Sequence, residues 1–597
     1  MLTLIIEEGA KIIGSVTSTG GVAGTLVFIG DGEVTGDIGT DDENKPDIIE
    51  ISGDNTKQVT LRGNVLVNDL VFVQGVDSSG KANIENGLVA RRVVFNNENA
   101  DGGTLVINAP SAVNAIVNPN NGMIVLNADF TISDPSAGDI REIKIADNIK
   151  YTIDAKSGNV DLLNNGAKII FEGAGSELNL INTGNTDKQF TLYSNLNPSD
   201  AEDEYGIVRV EATTNNLTIA NNGGPYTIGQ DNTHRLKEFE VKGAGNIVID
   251  NTIFTKQFNM NNTGQVTLNQ VLDLGVGGGV LFAADGKLTA NNGISGSVTT
   301  ATNDTGTLTI GTGNVTGAIG TNGGSKLKEV NFNGVSNVTS IDATIVKISN
   351  AAANVTAAGQ ISGAVSYTAD GKLTANNGIS GSVTTATNDT GTLTIGAGNV
   401  TGAIGTSGDN KLKEVNFNGA SNVTSIDATI VKINNVAANV TAAGQISGAV
   451  SYTADGKLTA NNGINGAVTT NDTGTLTIGA GNVTGAIGTS GDNKLKEVNF
   501  NGASNVTSID ATIVKINNVA ANVTAAGQIS GAVSYTADGK LTANNGINGA
   551  VTTATNGTGT LTIGAGNVTG AIGTNGGNKL KEVNFNGVSN VTSIDAT

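Results

Sequence analysis

The chain has no cysteine, no tryptophan, one histidine, six prolines and few charged residues. Without cysteine there is no disulfide framework, a trait compatible with surface proteins that cross an envelope unfolded. Aromatic residues make up 4% and charged residues 14%, against about 25% charged in ordinary soluble domains. A large conventional core is therefore not expected; a thin one of stacked Val, Ile, Leu and Ala fits better. No apolar run reaches 18 residues, so no transmembrane helix is predicted. The start, MLTLIIEEGAKIIG, lacks a basic first segment and meets Glu7–Glu8 after six residues. It reads as strand, turn and strand rather than a signal peptide.

Basic residues are also in deficit. A formal charge of −20 and a pI near 4.5 speak against nucleic acid, anionic lipid and heparin-like glycans, all of which need a basic surface. Arg91–Arg92 are adjacent arginines, read as two solvated strand-end charges. Hydrophobic residues still reach 38% and alternate with polar ones throughout, which argues against disorder.

What the chain has in excess is glycine, 83 of 597 residues, and repetition. An 85-residue unit, Lys287–Gly371, restarts at Lys372 and Lys457 and again, partially, at Lys540; the third copy is 83 residues long, because VTTNDTG replaces VTTATNDTG. The domain organisation is read as 1–286, a diverged region, and 287–597, recent tandem repeats (287–371, 372–456, 457–539 and a partial 540–597).

Within the unit, phrases such as TLTIG, KEVNFNG and ATIVKIS alternate with period two, the mark of half-buried strands. Val330 and Phe332 would share one face, with Glu329 and Asn331 on the other. NNG, TNDTG, TNGGSK and TADG supply turn residues. Pieces of about 20 residues are single coils of a solenoid, so the unit reads as about four coils. Gly24–Gly53 and Leu217–Val241 repeat the same pattern in worn form, so one continuous solenoid is the economical reading. The expected fold is all-β, an elongated right-handed parallel β-helix or β-solenoid with about 20–25 residues per coil, about 28 coils and a length of about 135 Å. Pro46, Pro110, Pro119, Pro135, Pro198 and Pro225 are expected at turns, and Ser194–Gly206 as a protruding loop.

Candidate chemistry is sparse. Any Ser-His-Asp or Cys-His site must use His234, which falls at a turn-to-strand boundary and reads as a solvated turn residue. Asp41-Asp42-Glu43 and Asp200-Ala201-Glu202-Asp203-Glu204 could hold Ca²⁺ through oxygen ligands, but read as solvated acidic loops without the nonapeptide of calcium-binding solenoids. The threonines of TLT and VTT resemble ice-binding solenoids. Each pair recurs once per unit, however, so no uninterrupted ladder is expected. The NVT and NDT sequons follow from composition. The recent units contain no arginine, which disfavours a lyase-type groove there. No catalytic, cofactor-binding or metal residue is assigned, and no cofactor.

Units such as TGTLTIGAGNVTGAIGT followed by LKEVNFNGASNVTSIDATIVKI resemble the passenger repeats of rickettsial surface cell antigens, the outer-membrane protein A- and B-type autotransporters. The resemblance lies in the G-NVTG-IGT and L-EV-F-G phrases. It implies a β-helical passenger at the cell surface or outer membrane, a C-terminal translocator β-barrel, adhesion to host cells through a receptor, and antigenicity. The sequence shows neither a leading signal nor a barrel-like tail, so a passenger fragment or truncated product is expected. The leading expectation is a non-enzymatic surface rod. The alternatives are a structural coat without a receptor, or a β-helical polysaccharide lyase or hydrolase carried by 1–286.

Overall fold

The computed structural model describes residues 2–74, 80–96, 102–117, 122–133, 142–163, 167–196, 203–321, 324–406, 408, 410–489, 493–574 and 577–597. These residues form strands and turns, with no helix among them. They stack as about 28 coils of roughly 20 residues, a parallel β-solenoid. The chain divides into two compact units, Met1–Leu327 and Lys328–Thr597, taken separately below.

In the first unit one sheet face runs through Leu2–Ile6, Gly24–Ile29, Ile48–Gly53 and Val65–Gln74, each strand parallel to the next. A second face stacks eight short strands, from Ala10–Ile12 to Lys168–Phe171. A third begins as bridges from Val16 to Ile38 to Val65. Between paired strands the step from coil to coil varies from 18 residues (Gly279 to Ser297) to 31 (Ile207 to Glu238), and the extra residues are taken up in turns. Strand alternation explains the core. Leu26, Ile49, Leu70 and Val93 face inward in register and are fully buried. In-register stacking also brings like rings together, Phe72 on Phe95 at 4.9 Å and Phe239 on Phe258 at 5.4 Å, within the range where offset aromatic pairs attract. Pro46, Pro110 and Pro225 lie outside strands, as expected; Pro119, Pro135 and Pro198 lie outside the described residues.

The second unit has three faces, and its registers trace each one. On the first, Leu373, Leu393, Val415, Val431 and Val450 stack inward-facing in five successive coils. These belong to the KLTA, TLTI, KEVNF, IVKI and VSY phrases of the copy at 372–456. The same five phrases of the next copy, through Leu458, Leu476, Val498, Val514 and Val533, stack on a second face. In the last copy Leu541, Leu561 and Val583 lie on the third. Val468 continues the first face beneath Val450, while Leu458, between them in sequence, is already on the second. The unit is thus four coils plus one further face. Each copy is turned by a third of a revolution relative to its predecessor, where the sequence suggested about four coils.

Turn geometry repeats with the sequence. Thr406 and Asn410 form an antiparallel bridge across the TSGDN turn, matched by Thr489 and Asn493. Asn399, Asn482 and Asn567, all in NVT triplets, accept the backbone N–H of Asn422, Asn505 and Asn590 one coil on, at 2.9, 3.0 and 3.1 Å. The triplets therefore have a structural use, since each amide oxygen satisfies a donor at the start of the next strand.

Candidate functional site

His234 sits in a turn with its Nδ1 3.1 Å from Thr233 Oγ1 and 3.2 Å from Asp231 Oδ1. Hydroxyl, imidazole and carboxylate are thus together, yet both partners address the same ring nitrogen. A relay needs the base on one nitrogen and its orienting carboxylate on the other, so this group has no relay geometry. Asp231 caps the turn: the Thr233 hydroxyl and the backbone N–H groups of Thr233 and His234 hold its carboxyl down to about 2.

The acidic turn at 41–43 is likewise self-satisfied. Asp41 Oδ1 accepts from the amide of Asn44 at 2.8 Å and from the backbone N–H of Glu43 at 3.0 Å, and these bonds hold its pKa below the usual value. Asp42 pairs with Lys45 at 2.6 Å. Asp200 and Glu202 lie outside the described residues; Asp203 accepts the backbone N–H of Arg235 at 2.8 Å, and Glu204 pairs with Lys256 at 3.0 Å. Among the described residues no three His, Cys, Asp or Glu side chains converge as a metal set.

Arg91 and Arg92 are not strand-end charges. They lie within the strand Leu88–Asn96 and both bind Asp69 of the preceding coil, Arg92 Nε at 3.0 Å and Arg91 Nη2 at 3.2 Å. Burial pushes the Asp69 carboxyl up, but the two guanidinium groups outweigh it and the pKa is lowered. Sequence reading missed a second ladder, in which Arg209 bonds Glu177 on one neighbouring coil and Glu240 on the other. The signal was the register of Arg209 with Glu240 on one side and with Asn179, two residues past Glu177, on the other, which needs the coil boundaries to be known. Among the described residues of 1–286, Arg91, Arg92 and Arg209 are bound up in these ladders.

In the second unit the same economy recurs on each face. Lys432 Nζ donates to Glu414 Oε2 at 2.6 Å, and Asn416 donates to Glu414 Oε1 at 2.8 Å. Lys347 with Glu329 and Lys515 with Glu497 repeat the pair. Beside them run threonine ladders: Thr356, Thr374 and Thr394; Thr441, Thr459 and Thr477; Thr524, Thr542 and Thr562. The expectation of no uninterrupted ladder stands, but short ladders form that a count of one pair per repeat did not foresee. Three different phrases, NVTA, KLTA and TLTI, bring threonine to one outward position in consecutive coils. Each ladder still stops after three rungs, at Asn416 in the first case.

Glu329, Glu414 and Glu497 share a pKa logic. Burial pushes each carboxyl up, but the lysine ammonium and asparagine amide outweigh it, so each lies below its ordinary value. A depressed carboxylate stabilises the fold fully above its unfolded pKa, and that contribution is lost as pH falls through the folded one. Asp510, raised mainly by burial, has the opposite sign and costs stability once ionised. The unfolding midpoint should therefore hold level from neutrality to about pH 4 and fall below it, as followed by far-UV circular dichroism. Glu414→Gln combined with Glu497→Gln should flatten the fall. A midpoint that rises on acidification would mean that the Asp510 type of carboxyl dominates.

No protein-family model matches the chain, and no solved structure matches it. It is 30% identical over 405 residues to outer membrane protein A of Rickettsia conorii, covering 61% of this chain and 19% of that protein. Identity to outer membrane protein A of Rickettsia rickettsii is 32% over 321 residues, 51% of this chain and 13% of the relative. For outer membrane protein B of Rickettsia typhi it is 25% over 281 residues, 44% and 16%. The chain thus spans less than a fifth of the length of each of these curated relatives. By sequence it is a relative of the rickettsial outer membrane proteins A and B, the family that its repeat phrases resemble.

Proposed function

We propose that the chain is the repetitive passenger part of an autotransporter-like surface protein, a non-enzymatic scaffold for adhesion to host cells and a surface antigen. The observation that carries this reading is the pairing of a β-solenoid with relatives named outer membrane proteins. The state of the polar groups supports it. His234, Asp41, Arg91, Arg92 and Arg209 are engaged in local bonds that stabilise turns and coils. A stacked solenoid suits display because each coil is held by its neighbours, so length can grow without a new core. A translocator barrel and a host receptor belong to the same proposal.

The test is binding of the purified, fluorescently labelled chain to cultured host cells. Saturable binding, competed by unlabelled chain and lost after mild protease treatment of the cells, is the expected result. Binding that rises linearly without saturation would remove the adhesin reading and leave a structural coat.

A further inference from the structure

We propose that Lys432 and Asn416 are the site of a covalent modification, an amide cross-link between adjacent coils that forms with loss of ammonia. Lys515 and Asn499 repeat the site in the next copy. In each copy the two residues are register partners on neighbouring parallel strands. Both address one carboxylate: Lys432 Nζ donates to Glu414 Oε2 at 2.6 Å, and Asn416 Nδ2 donates to Glu414 Oε1 at 2.8 Å. The amide oxygen of Asn416 accepts from Asn434 Nδ2 at 2.9 Å, and Thr453 holds Asn434 with a 2.9 Å bond to its Oδ1. In the next copy Lys515 donates to Glu497, Asn499 donates to Glu497 at 2.7 Å, and Asn517 donates to Asn499 at 2.8 Å. Asn416 and Asn499 are each 7% exposed, so water has little access to the amide carbon.

These four groups stand where amide exchange needs them. The lysine amine is the nucleophile and the asparagine Cγ the electrophile. Glu414 touches both the nitrogen that must lose protons and the nitrogen that must leave, so it serves as general base and then as general acid. Asn434 donates to the oxygen on which negative charge develops as the amine adds. The Nζ–Cγ bond forms and the Cγ–Nδ2 bond breaks. Of the two protons that the ammonium sheds, one leaves with the amide nitrogen as ammonia and the other passes to solvent. No oxidant or cofactor is needed. Carboxylates are weaker bases than amines, so the first proton transfer is uphill and the bond forms slowly, after the coils have stacked. Holding the two groups side by side offsets this by raising their effective concentration. The first copy, with Ser349 in place of the second asparagine, lacks that amide donor. In a solenoid each coil is held by its neighbours alone, so a cross-link from coil to coil would resist peeling.

The test is mass spectrometry of the full chain, freshly purified and after prolonged incubation at neutral pH and body temperature. Trypsin should then fail to cut after Lys432. The resulting peptide, 414–457, should be one ammonia lighter than its sequence and give no fragment ions from bonds between 416 and 432. The next copy yields an identical peptide, 497–540. Lys432→Arg should therefore halve the cross-linked product, and Lys432→Arg with Lys515→Arg should abolish it. Glu414→Gln with Glu497→Gln should slow its formation by about a hundredfold, with the far-UV circular dichroism unchanged. A chain cut fully after Lys432, with its peptides at full mass after incubation, would overturn the proposal. So would ammonia loss that persists in the double arginine variant, which marks cyclisation at Asn418–Gly419 instead.

Discussion

Replacing Gly448 by alanine is expected to destabilise its coils by about 3 kcal/mol. Gly448 has a φ of 134°, which L side chains rarely adopt, and a Cβ there would lie 1.8 Å from the carbonyl oxygen of Ala428. The reason is a bulge. Between the paired residues Asp427–Ser447 and Ile430–Ala449, two residues on one strand face the single Gly448 on the other, and the extra backbone bows toward it. The obstacle is main chain, so no rotamer change relieves it. Gly363 and Gly531 stand in the same bulge of their own copies, with the same 1.8 Å approach. The three alanine variants should therefore behave alike, an internal triplicate. Gly324, where an added Cβ would meet nothing within 4 Å and the φ is ordinary, is the control. Because solenoid stability is approximately a sum over neighbouring coils, hydrogen exchange should speed up first around 426–452 and only later elsewhere. Equal midpoints for Gly448→Ala and Gly324→Ala would sink the argument.

The second large effect is expected at Tyr452. Its side chain is 1% exposed, its hydroxyl donates to the carbonyl of Thr475 at 3.0 Å, and its ring fills the space where Gly474 has no Cβ. Burial pushes the phenol far above its usual pKa, so it stays neutral in the folded chain. Tyr452→Ala removes a whole ring from a thin core and should cost about 3–5 kcal/mol. Tyr452→Phe removes only the hydroxyl and should cost about 1 kcal/mol. Urea titrations of the two variants separate packing from hydrogen bonding. If phenylalanine costs as much as alanine, the hydroxyl and not the ring anchors the coil.

Much of the solenoid could be read from the chain, for a local reason. Val330 and Phe332 alternate with Glu329 and Asn331, and the structure buries the first pair and leaves the second half-exposed. The strand-turn-strand reading of the first residues also stands, as Leu2–Ile6 and Ala10–Ile12. What stayed hidden depends on register between coils. Asp69 lies more than 20 positions before Arg91 and Arg92, and nothing local marks it as their partner. The threonine ladders escaped for the same reason: counting by sequence repeat kept NVTA, KLTA and TLTI apart, while the coil step superposes them. The TNGGSK turn was legible as a turn, but not the antiparallel bridge from Thr321 to Ser325 that closes it.

The odd third of a coil left over in each unit has a consequence for chains with a different number of units. Inserting or removing one whole copy within the array keeps every strand in phase with its neighbours, because each copy ends one face beyond where it began. Everything that follows, however, is swung around the axis by one face. Length variants of the array therefore fall into three orientation classes that recur with every third copy. Two chains one unit apart differ in compass heading as well as in reach.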